Sequence, residues 1–198
     1  MQLTLGYICS IIKVESEGLI PMNAQDCIVT RRSVRKFTAQ PVAHETLEKV
    51  VSLASMAPSW KNTQISRYIA VEDPALRQAL CKFVPSYNAR ILESCPVLIA
   101  QIFVKNRSGY ERDGSFTTDR EGGWQYFDCG VAAQTFCLAA HDLGLGTVIM
   151  GVFDRAEEEK SLSVPEDQEL MALIAVGYPD ETPAAPRRKD VGTLLSYR

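Results

Sequence analysis

The segment from Trp124 to Leu143 constrains the fold most, because it has helix length and is apolar nearly all round, with Phe127, Val131, Ala132, Ala133, Phe136, Leu138, Ala139 and Ala140. A helix without a polar face cannot lie on a solvated surface; it must be buried in the core or against a partner subunit. It is not read as a membrane span. The longest apolar stretches, Cys95 to Val104 and Val131 to Ala140, fall short of the roughly 20 residues that cross a bilayer. At 198 residues and 46% hydrophobic content, the chain can bury one sizeable core without a disulfide scaffold.

Around this segment the elements are punctuated by local signals. Asn23 is a helix cap with Asp26 in the first turn, predicting a helix from about Ala24 to Thr30. Met22 is then a candidate start, and residues 1–21 are an N-terminal extension expected to be peripheral or poorly ordered ahead of a single domain, 22–198. Lys13, Glu15 and Glu17 stand where a signal peptide needs small neutral residues. From His44 to Met56 apolar residues recur at Leu47, Val50, Val51 and Ala54, a helix with one buried stripe, stopped by Pro58. Ile65 to Glu72 reads as a strand, and Asp73-Pro74 opens a helix.

Tyr87 to Glu93 reads as helical, and Pro96 to Val104 as a strand covered on both faces at the sheet centre. Lys105 to Gly123 is a polar excursion expected to act as a mobile lid. After the apolar helix come a short strand at Thr147 to Met150, a helix capped by Asp154, a strand at Leu170 to Val176 and a basic, proline-rich tail. Strands and helices do not alternate strictly, which favours an α+β fold, an antiparallel or mixed central sheet flanked by helices, over a doubly wound one. Gly144-Leu145-Gly146 is no dinucleotide turn, since it follows a helix and Ile149 occupies the third glycine position.

Lysine and arginine total 21 against 24 acidic residues, a net charge of −3. No global field recruits nucleic acid or an anionic membrane, so an anion must be bound locally. Six cysteines without a C-x-x-C pair suit a reducing cytoplasm, and two histidines far apart supply no zinc site. The local candidate is Arg31-Arg32-Ser33-Val34-Arg35. In an extended segment Arg31, Ser33 and Arg35 point the same way, presenting two guanidinium forks and a hydroxyl to one phosphate. Taken alone, such a cluster is more often a solvated basic turn. A second candidate is the loop Ala57-Pro58-Ser59-Trp60-Lys61-Asn62-Thr63-Gln64, whose hydroxyls, amides and ammonium suit the edge of a heteroaromatic ring, although it also reads as a plain polar loop. A third is Pro186-Arg187-Arg188-Lys189, which would add cations if the tail folds back.

Together these segments, with Tyr-Asn-Ala-Arg at 87–90, Asp-Cys-Gly-Val-Ala-Ala-Gln at 128–134, Gly-Leu-Gly-Thr at 144–147 and Val-Gly-Tyr-Pro at 176–179, resemble the nitroreductase family. The resemblance covers about residues 24 to 195 and implies an intertwined homodimer with two FMN sites at the subunit interface. By motif, Arg31, Ser33 and Arg35, with neighbouring Arg32, would hold the phosphate and ribityl chain, and Arg188 or Arg187 would close on the phosphate. Asn88 would reach the ring, Met150 and Gly151 would pack beside it, and Pro58, Ser59, Trp60 and Asn62 would come from the other subunit. Lys61 stands where the family more often has glycine, and Ile65 where a proline is common.

The resemblance further implies a ping-pong oxidoreductase in which NADH or NADPH gives hydride to the flavin and an electron-poor acceptor, a nitroaromatic or quinone, then takes the same seat. Chemistry would rest on the flavin, with no catalytic acid or base, and Lys61, Asn88 and Arg35 are candidate donors to the ring edge. The alternative from another class is a non-catalytic FMN-binding or flavin-sequestering protein. Nucleophilic catalysis is disfavoured because Ser33 and Ser59 lack a G-x-S-x-G context, and Cys129 ranks as core.

Overall fold

The computed structural model describes residues 22–198; the expected extension, residues 1–21, lies outside the described residues. The elements run α1 (Ala24–Thr30), α2 (His44–Ala54), β1 (Ser66–Val71), α3 (Pro74–Leu80), α4 (Ser86–Ser94), β2 (Val97–Val104), α5 (Gly123–Asp142), β3 (Gly146–Met150), α6 (Arg155–Ser161), β4 (Gln168–Gly177) and the short α7 (Val191–Leu194). Three helix starts follow from their caps: Asn23, Asp73 and Asp154 each accept a bond from an N–H of the first turn.

The sheet has the order β1-β2-β4-β3, and every strand pair is antiparallel. The antiparallel half of the expected antiparallel or mixed sheet therefore holds; the parallel pairing is one isolated bridge between Ser33 and Thr147. As its largely apolar run implies, β2 sits in the interior of the sheet between β1 and β4, and its one polar residue, Gln101, is buried with Nε2 donating to the Cys129 carbonyl at 2.9 Å. Side chains alternate along it. Leu98, Ala100 and Ile102 pack with Leu80 and Leu92 of α3 and α4, whereas Val97 and Ile99 pack with Val50 of α2 and with Phe136 and Ala140 of α5. The register shifts opposite Gln101 and Ile102, where β4 carries one extra residue; Leu170 and Leu173 consequently share one face.

The apolar helix buries Cys129, Ala132, Ala133, Phe136, Cys137, Ala139 and Ala140 but leaves Tyr126 and Phe127 50% and 62% exposed. Its end is made by Gly144, whose φ of 78° turns the chain into β3. Among the described residues no helix is long and apolar enough to cross a membrane. The excursion expected as a lid is fastened at its base. The Asn106 N–H donates to Gln125 Oε1 at 2.6 Å, Ser108 is fully buried, and Tyr110 and Phe116 face each other across a bridge.

Candidate functional site

The basic segment is held extended along the edge of β3. Its Val34 N–H donates to the Thr147 carbonyl at 3.0 Å, and the Thr38 N–H to that of Tyr178 at 2.9 Å. Val34 and Phe37 are buried in the core. Gly146 permits the close approach, because a Cβ there would stand 2.8 Å from Cβ of Val34.

Two groupings emerge from this ribbon. Arg31 and Arg32 line a cavity of about 330 Å³ with Arg188 and Pro186, so the tail does fold back onto the first cluster. Arg35 lines another, of about 360 Å³, with Asn88, Met150 and Gly151. Within the single chain, Arg31 and Arg35 thus line different cavities. Val34 turns inward as the anchor, and Arg35, whose guanidinium donates to the Ser33 carbonyl, reaches the far side. Ser33 and Arg187 line neither cavity. Arg32 spends one nitrogen on the carbonyls of Val29 and Arg31.

Among the described residues none of Arg31, Arg32, Arg35, Arg187 and Arg188 is ion-paired; the pairs present are His44–Glu72, Lys61–Glu111 and Arg155–Glu169. Glu181 and Asp142 line a cavity with Arg31 and Arg32, and the Glu181 carboxylate accepts the Arg35 backbone N–H at 2.6 Å. The resulting positive field is felt by His141. Burial, then the charges of Arg31 and Arg32, hold its imidazole below its ordinary value. Its Nε2 lies 2.9 Å from Thr30 Oγ1, and since that hydroxyl donates to the Asp26 carbonyl, Nε2 carries the proton between them.

Asn88 is buried and donates from Nδ2 to the Val152 carbonyl at 3.3 Å, while the Asp154 N–H donates to Phe83 at 2.7 Å. These bonds set the turn after β3, so that Met150, Gly151 and Val152 form one wall of the Arg35 cavity. A guanidinium and an amide thus share a volume with apolar side chains and exposed backbone.

The loop 58–64 lies elsewhere, beside a cavity of about 350 Å³ lined by Pro58, Ser59, Gln64, Tyr68 and Asp128. Lys61, Asn62 and Gln64 have φ of 45°, 56° and 49°, a conformation costing an L-residue about 1–2 kcal/mol. Glycine at position 61 would avoid that cost. Lys61, expected to face a ring, instead pairs with Glu111 at 2.8 Å. Trp60 packs on Trp124 with ring centroids 4.6 Å apart, and its buried Nε1 has no bonding partner among the described residues.

Reading the sequence missed Asp128, which is buried on α5 and accepts the Trp60 N–H with both carboxylate oxygens at 3.1 and 3.0 Å. The signal was present: a carboxylate inside the mostly apolar body of the helix, unlike Asp142 at its end, must have a partner once buried. Burial pushes the Cys129 thiol up to about 12, and among the described residues no three metal-ligating side chains cluster.

The Nitroreductase family profile matches residues 28–94 and 83–178. A protein of Methanothermobacter thermautotrophicus named "Putative NADH dehydrogenase/NAD(P)H nitroreductase" is 32% identical over 177 residues, covering 87% of this chain and 86% of the relative. The "NADPH-flavin oxidoreductase" of Vibrio harveyi is 28% identical over 174 residues, covering 84% and 70%. Among solved structures, a nitroreductase family protein from Streptococcus pneumoniae superposes with a TM-score of 0.79 at 20% identity, covering 89% of this chain and all of the other. Matched in profile over most of its length and in fold across nine-tenths of it, the chain belongs to the nitroreductase family.

Proposed function

We propose that this chain is an FMN-dependent oxidoreductase that passes hydride from NADH or NADPH, through the flavin, to a small electron-poor acceptor such as a nitroaromatic or quinone. The observation carrying the reading is the gathering of Arg31, Arg32 and Arg188, from opposite ends of the chain, around one cavity with no carboxylate paired to them among the described residues. Uncompensated guanidinium forks match a phosphate better than any neutral ligand. The Arg35 cavity fits a flavin ring by composition, since donors from Arg35 and Asn88 meet an apolar wall at Met150. Bound FMN would supply the hydride-accepting and hydride-donating centre at N5. The chain's own part is to bind the phosphate, orient the ring and leave one side open to donor and acceptor in turn.

A homodimer belongs to the same proposal. Pro58 and Ser59 line a cavity separate from both arginine cavities of their own chain, as expected if they complete a second copy's site. Exposed Tyr126 and Phe127 on α5, and Val191, Leu194 and Tyr197 in the tail, leave apolar surface for such a partner.

The test is the visible spectrum of the purified protein with added FMN, followed by stopped-flow mixing with NAD(P)H. Tight uptake and rapid bleaching support the enzyme. Each charge-assisted bond contributes about 1.5–3 kcal/mol, so Arg31→Ala or Arg188→Ala should raise the FMN Kd by roughly 10- to 100-fold. Uptake without bleaching would leave a flavin store, and a colourless protein would remove the reading altogether.

A further inference from the structure

We infer that Asp128 is a positioning residue for the proposed flavin site, acting through the loop 58–64 that it fixes to α5. The inference rests on the flavin reading above. Asp128 is 4% exposed and among the described residues has no cation paired to it. Its donors come instead from the two polar segments that flank it in space. The Trp60 N–H reaches both oxygens, and Ser108 Oγ donates to Oδ2 at 2.5 Å.

The direction of the next bond follows. Ser108 has one proton and gives it to a carboxylate that can only accept, so the 2.6 Å contact between Thr63 Oγ1 and Ser108 Oγ runs from Thr63 to Ser108. A relay Thr63 to Ser108 to Asp128 therefore closes on the same loop whose Trp60 N–H meets both carboxylate oxygens, sharing Oδ2 with Ser108. Between these two fastenings lie Lys61 and Asn62, both in the left-handed region, with Gln64 just beyond, its N–H bonded to Ser59 Oγ at 2.9 Å. A loop strained at three non-glycine residues holds its shape only if its surroundings dictate it. Outside, Lys61 is latched to Glu111, which also accepts from Thr117. Asp128 is thus the inner of two ties joining the 58–64 loop to the 105–123 excursion, and the tie that is shielded from water and salt.

Asp128→Asn preserves shape but replaces one carboxylate oxygen by an NH2 donor; because the Trp60 N–H meets both oxygens and Ser108 meets Oδ2, either orientation of the amide sets a donor against the Trp60 N–H and loosens that fastening. Expected results are amide exchange at Trp60 at least about tenfold faster in the protein without flavin, an FMN Kd raised about tenfold, and an altered visible circular dichroism of the flavin still bound. Ser108→Ala, a smaller change, should move all three readouts in the same direction and Asp128→Glu should restore part of the loss. A purely structural carboxylate would lower the melting temperature without changing the dichroism or the affinity; that pattern overturns the inference while leaving the flavin reading intact. A wild-type protein that takes up no FMN overturns the flavin reading and this inference with it.

Discussion

Glu158 of α6 makes stability fall as pH rises through the neutral range. Its side chain is 0% exposed, and neither carboxylate oxygen has a bonding partner among the described residues. Burial first, and the neighbouring charge of Asp154 second, push its acid up to about 7 from 4.5. Nearby charges give no relief: Arg155 is committed to Glu169, and the Cys81 thiol is itself raised, in part by Glu158. At about 1.4 kcal/mol per tenfold change in proton affinity, the anion is disfavoured in the folded protein by roughly 3 kcal/mol. Between pH 4.5 and 7 the native state binds more protons than the unfolded chain, so stability declines across that window and the full penalty applies above it. Below 4.5 both states are protonated and the penalty vanishes. Glu158→Gln cannot ionise. It should unfold at higher urea than wild type at pH 8, by about 2–3 kcal/mol, and differ little at pH 5. Denaturation of both proteins at the two pH values, at one protein concentration, gives the double difference; a difference independent of pH refutes the assignment.

Three other perturbations test the framework. Gly146→Ala drives a Cβ into Val34 and should cost about 1–3 kcal/mol, read by thermal denaturation. Phe136→Ala empties a fully buried position beside Tyr68 and should cost about 3–5 kcal/mol, checked by urea titration. Site-resolved alkylation with iodoacetamide at pH 8 should modify Cys81, which lines an open surface depression, well before Cys95 and Cys129, whose thiols burial pushes up to about 12.

Caps, breakers and periodicity act within a few residues, and these were legible. Asn23, Asp73-Pro74 and Asp154 open helices where expected, and the largely apolar run of β2, interrupted at Gln101 alone, foretold its interior place in the sheet. What stayed hidden involves partners remote along the chain. Asp128 meets Trp60 across 68 residues and Ser108 across 20, and no local pattern encodes either meeting. The left-handed turn at Lys61 ran against residue preference, so only a tertiary fastening could impose it. The arginines were readable as candidate anion ligands from composition and spacing. Their division between two cavities was not, since it depends on Val34 being the residue that the sheet edge swallows.

If the guanidinium ribbon binds the proposed phosphate, that single rung between Val34 and Thr147 ties its capture to the integrity of the sheet margin. On the proposed reading, a phosphate that neutralises the ribbon also splints the outer strand, so fraying of β3 and release of the anion are linked. The Val34 amide is its natural gauge, exchanging with solvent more slowly as the anion concentration is raised.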